Sequence, residues 1–180
     1  RGAEAISTYT PVSEAEKFAV EYWMLEELKL RRRSAPKPLT GKVAVVAVGA
    51  VAGVDSAIGQ AVAREFEDAG AVVVVAADDE AEAVDAAVLQ FGGVDIVVGS
   101  SHTHAIAAMI AQGSGGDIVQ LAGSKSLVAE RAIEMAECGV RVNAITFDDD
   151  PDRLAVAQAA RALVDGSLAK TTGLIIPISR

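Results

Sequence analysis

Gly41-Lys42-Val43-Ala44-Val45-Val46-Ala47-Val48 runs into Gly49, passes Gly53 and Ser56, and continues as Ala57-Ile58-Gly59-Gln60-Ala61-Val62-Ala63. Val43–Val48 is a short, wholly apolar run with β-branched residues, the signature of a strand buried on both faces. Ser56 to Asp68 carries apolar residues at helical spacing, and Ala71–Ala76 is a second run that reads as a buried strand. Asp78 and Asp79 end that second strand. Strand, glycine loop, helix, strand and terminal acid make one βαβ unit, which needs a parallel sheet around it.

Downstream the alternation continues. Glu80–Leu89 reads as a helix, Val94–Val98 as a strand, Ala105–Ala111 as a helical stub and Asp117–Leu121 as a strand. Leu127–Cys138 reads as a helix stopped by Gly139, followed by strand Val140–Thr146, helix Asp152–Val164 and strand Leu174–Ile178. The expected class is α/β, a Rossmann-like doubly wound, mostly parallel sheet of about six strands with helices on both faces. Upstream, Ser13-Glu14-Ala15-Glu16 has the form of a capping box opening a helix to about Leu30, on which Phe18, Tyr22 and Leu25 recur at helical spacing. Trp23 and Met24 widen that apolar surface, and Ser34-Ala35-Pro36-Lys37-Pro38 ends it as a linker. Residues 1–40 are therefore expected to be an N-terminal helical extension, and 41–180 the sheet domain.

The chain has 180 residues, half of them apolar, so one ordinary domain with an extension fits. A net charge of -9 argues against nucleic-acid and anionic-membrane partners. The basic run Arg31-Arg32-Arg33 suits the negative end of the preceding helix. Cys138 is the single cysteine, which leaves no disulfide framework and points to a cytoplasmic setting. No apolar run reaches the ~18 residues of a membrane span. A first residue that is Arg rather than Met suggests a piece of something longer.

Glycines between a strand and its helix let the backbone approach a pyrophosphate at the helix N-terminus. The common G-x-G-x-x-G spacing is absent. Gly53, Ala57 and Gly59 fit a G-x3-(G/A)-x-G form, while a competing register uses Gly49 and Gly59 with Ser56 before the helix. The candidate cofactor-binding set is Gly49, Gly53, Ser56, Ile58, Gly59 and Asp78. An acid at Asp78 would bond ribose hydroxyls and favour NAD over NADP. The plainer alternatives are glycines that serve packing and an acidic cap on the helix starting near Glu80. Asp55 repels an anion at the same place.

The residues beginning at Gly41 and Ala57 resemble the opening of the short-chain dehydrogenase/reductase family. Phe91-Gly92-Gly93-Val94-Asp95-Ile96-Val97-Val98 resembles its fourth strand and Gly116-Asp117-Ile118-Val119 its fifth. Cys138-Gly139-Val140-Arg141-Val142-Asn143-Ala144-Ile145 is similar to its sixth, and Lys170-Thr171-Thr172-Gly173-Leu174-Ile175-Ile176-Pro177 to its last. Pro11-Val12-Ser13-Glu14-Ala15-Glu16, with Glu21-Tyr22-Trp23, resembles the connector of bifunctional aldolase/short-chain dehydrogenase proteins. The resemblance implies a NAD cofactor, homo-oligomers built through helices that flank the sheet, and a fused class II aldolase-type domain upstream.

The departures bear on activity. Gly99-Ser100-Ser101-His102 stands where the family has N-N-A-G. Leu121-Ala122-Gly123-Ser124-Lys125-Ser126 runs straight into a helix where the family has a catalytic serine and then Y-x-x-x-K. The only tyrosines are Tyr9 and Tyr22, both upstream. The segment between the second and fourth family strands is short by about one helix and one strand, and the lid shrinks to Thr146–Pro151. General acid–base catalysis needs a donor within hydrogen-bond reach, and none is assigned here.

The remaining candidates are modest. His102 and His104 flank Thr103 at the carboxyl edge of the sheet and would point the same way in an extended segment. No third ligand has metal-site spacing. Ser124-Lys125 and Asp148–Asp150 read as polar loops, and Asn143 as a backbone support. The expectation is a degenerate dehydrogenase-like domain serving oligomerisation or support of an aldolase-type domain, with residual NAD(H) binding at most. The alternative is an active NAD-dependent oxidoreductase using His102 or His104 as acid.

Overall fold

The computed structural model describes residues 13–18, 24–32, 34–48, 55–77, 79–99, 102–121, 125–148, 150–168 and 171–179. Two compact units emerge, residues 1–36 and 37–180. In the first, Ser13 opens α1 (Glu14–Phe18) as a capping box. Its hydroxyl accepts the Glu16 N–H at 3.2 Å, and Glu16 Oε2 accepts the Ser13 N–H at 3.0 Å. A second helix, α2 (Met24–Arg32), ends in Lys29, Arg31 and Arg32, cations placed at the negative end of its dipole. The two lie within the stretch expected to be one helix; residues 19–23 between them, Tyr22 and Trp23 included, lie outside the described residues.

The second unit starts ahead of Gly41, because Leu39 is buried in its core and donates its N–H to the Ala69 carbonyl at 2.9 Å. Its elements are β1 (Val43–Ala47), α3 (Ser56–Asp68), β2 (Val72–Ala76), α4 (Glu80–Phe91), β3 (Ile96–Gly99) and α5 (Thr103–Gln112). They continue as β4 (Gly116–Leu121), α6 (Lys125–Ala136), β5 (Val140–Phe147), α7 (Arg153–Val164) and β6 (Ile175–Ile178). The described strands form one all-parallel sheet in the order β2-β1-β3-β4-β5-β6.

Strand alternation splits the core into two layers. Ala44 and Val46 of β1, with Ile96 and Val98 of β3, meet Ile58, Val62 and Phe66 of α3 and Ala157, Ala160 and Leu163 of α7. Val45 and Ala47, with Val97, meet Ala83, Val84 and Ala87 of α4, Ala105 and Met109 of α5, and Val128 and Ala132 of α6. The small side chains let helices lie close to the sheet, and Arg161–Glu65 at 2.8 Å ties α7 to α3. The expected doubly wound architecture is the observed one.

Differences from the sequence reading are local, with one exception. β3 begins at Ile96 rather than Val94, because the Val94 N–H goes to the Gln112 side chain at 3.1 Å. The exception is β2. Expected to be buried, it is an edge strand with Val72 44% and Val75 50% exposed. The chain passes from β2 into α4 and crosses to the far side of β1, so among the described residues nothing pairs with the outer side of β2. Edge status comes from what the topology omits, which a strand's own residues do not register.

Candidate functional site

The strand order reverses between β1 and β3: the chain leaves β1 for β2 on one side and returns to pair β3 on the other. In open α/β sheets the crevice at the carboxyl ends of such a pair is where ligands bind. Here its walls are the end of β1, the first turns of α3 and α4, the end of β3, and His102 ahead of α5. Gly49, Gly53 and Asp78 of the candidate cofactor set lie outside the described residues, as do Ser100 and Ser101.

Three candidate residues are placed, all on the first turn of α3. Ser56 is exposed, whereas Ile58 is buried among the residues between α3, α7 and the sheet. Gly59 is buried against β1. A Cβ there would collide with the Ala47 carbonyl oxygen and lie 2.8 Å from Val48 Cα, so the glycine is required by the close approach of helix to strand. Packing thus explains Gly59 without any ligand.

The N-terminus of α3 is already capped. Asp55 is its N-cap, with Oδ1 accepting the Ala57 N–H at 3.1 Å. Oδ2 accepts from Arg153 Nη2 of α7 at 2.9 Å. The position that would hold a pyrophosphate at a helix N-terminus therefore holds the chain's own carboxylate, matched by its own cation. Both side chains are half-exposed, so the pair contributes little to stability, about 0–1 kcal/mol. Its effect is to occupy the anion position. Gly49 and Gly53 lie outside the described residues; among those described, this helix end presents a carboxylate, which does not fit a pyrophosphate.

Across the crevice, Asp79 caps α4, its Oδ1 accepting the Ala81 N–H at 2.8 Å and the Glu82 N–H at 3.3 Å. The helix-cap reading of this acidic pair holds for Asp79. Glu80 then turns inward. Its side chain is 11% exposed and its Oε1 lies 3.3 Å from His102 Nδ1, with His102 1% exposed. A Cβ on Gly99 would collide with the Glu80 carboxylate and sit 3.2 Å from Ala47 Cβ. The carboxylate thus lies over the ends of β1 and β3, in the space a side chain at position 99 would take.

That pair is incompletely satisfied. Neither ring nitrogen of His102 nor Glu80 Oε1 makes a well-formed hydrogen bond among the described residues. Each such buried group costs about 1–3 kcal/mol. Sequence reading missed the pairing, because Glu80 looked like an ordinary first-turn acid. Gly99 at the end of a buried strand was the available signal, since glycine there marks close approach by another group.

His104 takes a different course. It stands in the first turn of α5, half-exposed, with Nε2 2.7 Å from Asp85 Oδ1 of α4. The same-side arrangement imagined for an extended segment does not occur, because α5 starts at Thr103 and helical residues two apart diverge by about 200°. Among the described residues no three potential ligands cluster as a metal site. Asn143, 2% exposed, donates from Nδ2 to the Thr171 carbonyl at 3.0 Å and accepts the Leu174 N–H at Oδ1 at 2.9 Å. It is the backbone support expected of it. Residues 122–124, including Gly123 and Ser124, lie outside the described residues, and α6 begins directly at Lys125.

Several solved structures with this architecture are short-chain dehydrogenases/reductases. A short-chain type dehydrogenase/reductase from Mycobacterium marinum is 18% identical, TM-score 0.65, over 78% of this chain and 95% of its own. A short chain dehydrogenase from Mycobacterium smegmatis is 20% identical, TM-score 0.65, over 82% and 95%. A putative short-chain dehydrogenase/reductase from Burkholderia xenovorans is 19% identical, TM-score 0.65, over 79% and 96%. The chain has the short-chain dehydrogenase/reductase fold. Residues 1–30 match the family model "Aldolase class II, second domain". No curated protein sequence matches the chain. Among the described residues no helix is long and apolar enough to cross a membrane.

Proposed function

We propose that residues 37–180 are a dehydrogenase-type Rossmann scaffold without catalysis, serving to oligomerise the protein and support a fused class II aldolase-type domain. The observation that carries this reading is the Asp55 carboxylate, held on the N-terminus of α3 and matched by Arg153. The Glu80 carboxylate over Gly99 adds to it from the other wall. An anionic dinucleotide entering this crevice would meet two carboxylates where a binding site needs N–H donors and space. Residual NAD(H) binding would then be weak. The aldolase-type partner is supported by the match at residues 1–30, and a reducing cytoplasmic setting by the lone, exposed Cys138.

The alternative, an active NAD-dependent oxidoreductase with an unusual acid, would have to use His102 or His104. His102 is buried against Glu80, and the half-exposed His104 is paired with Asp85 of α4. A general acid must come within hydrogen-bond reach of its substrate, and this placement favours the scaffold reading. The test is a calorimetric titration of the full chain with NAD+, NADH, NADP+ and NADPH to millimolar levels, with a parallel hydride-transfer assay. Dissociation constants of millimolar or weaker and no turnover are expected. Enzyme-like hydride transfer would overturn the proposal.

A further inference from the structure

The outer edge of β2, open among the described residues, has a defined hydrogen-bonding phase. The Val72 N–H donates to the Lys42 carbonyl and the Ala76 carbonyl accepts from Val48 N–H, both at 2.9 Å, so these residues face β1. In a parallel ladder alternate residues direct their main-chain groups to opposite sides. Val73 and Val75 therefore direct their N–H and C=O groups at the free edge. The strand contains no lysine, proline or inward charge of the kind that keeps edge strands apart.

A groove of about 280 Å³ lies alongside, lined by Val74, Val75, Ala76, Ala77, Ala83 and Ala86 together with the acids Asp79 and Glu82. We infer that β2 pairs antiparallel with β2 of a second copy across a twofold axis, joining two sheets into one. This deepens the scaffold reading, on which its purpose rests, by naming the surface through which the scaffold assembles.

Three features of the edge agree on that occupant. With Val74 opposite Val74 of the second copy, Val73 and Val75 face Val75 and Val73 of that copy, and their outward groups exchange four hydrogen bonds. The same register sets Val72, whose side chain shares the Val74 face and is half-exposed, opposite Ala76 of the second copy. A protruding valine thus enters a groove floored by alanines. The charges also complement. The stem of Lys37 lies over Gly70, at the start of β2, and Lys37 makes no ion pair with a described residue. Antiparallel pairing brings that end beside Asp79 and Glu82 of the second copy, which line the groove.

Sedimentation equilibrium of the full chain between 1 and 200 µM, with hydrogen exchange read at Val73 and Val75, tests this. A dimer is expected, with those two amides protected in it. Val75→Lys should weaken it at least tenfold while circular dichroism keeps its folded signature. Val72→Asp, aimed at the groove instead of the ladder, should do the same if Val75→Lys disturbs folding. Lys37→Glu should weaken the dimer, and adding Glu82→Lys should restore it. A monomer at 200 µM, a dimer indifferent to both valine variants, or concentration-independent protection of the two amides would each overturn the inference. Dinucleotide titration of the same sample separates the two readings: hydride transfer by an intact β2 dimer sinks the scaffold and leaves the interface. A monomer that binds no dinucleotide sinks the interface and the oligomerising role, and leaves a scaffold without catalysis that supports the aldolase-type domain.

Discussion

Strand β2 at one side of the sheet reads Val72-Val73-Val74-Val75-Ala76, and strand β6 at the other reads Ile175-Ile176-Pro177-Ile178. Both are apolar and both pair on one side only among the described residues. Their free edges differ in one atom. The Ala144 N–H donates to the Leu174 carbonyl, which fixes the phase of β6 so that Ile175 and Pro177 face outward. Proline has no N–H to offer there, so the edge lacks a donor where a docking strand needs one. The lead-in to β6 is also held by side chains, through Asn143 and through Thr172 Oγ1, which accepts the Val142 N–H at 3.1 Å. The lead-in to β2 has only main-chain bonds, Ala71 N–H to the Phe66 carbonyl and Val72 N–H to the Lys42 carbonyl. One side of the sheet is closed by particular residues. The other is left free among the described residues.

The largest expected effect comes from breaking the closed side. Asn143→Leu removes both bonds of a buried amide and leaves the Thr171 carbonyl and Leu174 N–H to find other partners. At about 1–3 kcal/mol for each of the two stranded groups, the sheet domain should lose about 2–6 kcal/mol in urea unfolding, with hydrogen exchange rising first in Ile175–Ile178. A loss under about 1 kcal/mol would mean the main chain alone holds β6. The next effect is on association. Pro177→Val returns a donor to the outward edge and should create a second sticky strand, seen as concentration-dependent oligomers beyond the dimer. A tenfold gain in self-association corresponds to about 1.4 kcal/mol. If the variant associates no more than the parent protein, Pro177 is not what keeps this edge apart.

The two edges also show what was readable in advance. Short apolar runs between turn residues gave nearly every strand, since burial on both faces leaves a continuous signal. The same continuity misled at β2, whose four valines look as buried as those of β1. What differs is the neighbour it lacks, and the shortened connection after β2 was the only trace of that. At the candidate site, the charge of Asp55 and the support role of Asn143 were legible from type and position. The contact between Glu80 and His102 was not, because it joins residues of separate elements across Gly99, and no periodicity records such a meeting.

The crevice lies toward the β2 side of the sheet, and its proposed lack of a nucleotide site can be tested at the α3 cap. Asp55→Ser keeps a good N-cap for α3 while removing the carboxylate, so stability should change by no more than about 1 kcal/mol. If the carboxylate is what excludes an anion, NAD(H) binding should tighten measurably by calorimetry, to a degree limited by Glu80. Unchanged titrations would mean that the Asp55 carboxylate is not what bars an anion from the crevice.

The smallest effect sharpens the closed side. Asp117 of β4 and Arg141 of β5 face each other across paired strands, with Arg141 Nη2 2.6 Å from the carboxylate. Burial raises the Asp117 carboxyl above its ordinary 3.8, and the Arg141 guanidinium offsets part of that rise. A raised value means the folded protein holds this proton more tightly than the unfolded chain. Its contribution to stability is therefore complete below pH 3.8 and is lost as pH climbs through the raised value. Unfolding free energies of the parent protein and Asp117→Asn, compared from pH 3 to 7, should show the parent losing stability relative to the variant just above pH 3.8. A relative gain over that window would mean the Arg141 pairing outweighs burial. The strand pair behind β6 would then be held by its charges as well as by Asn143, which widens the contrast with β2.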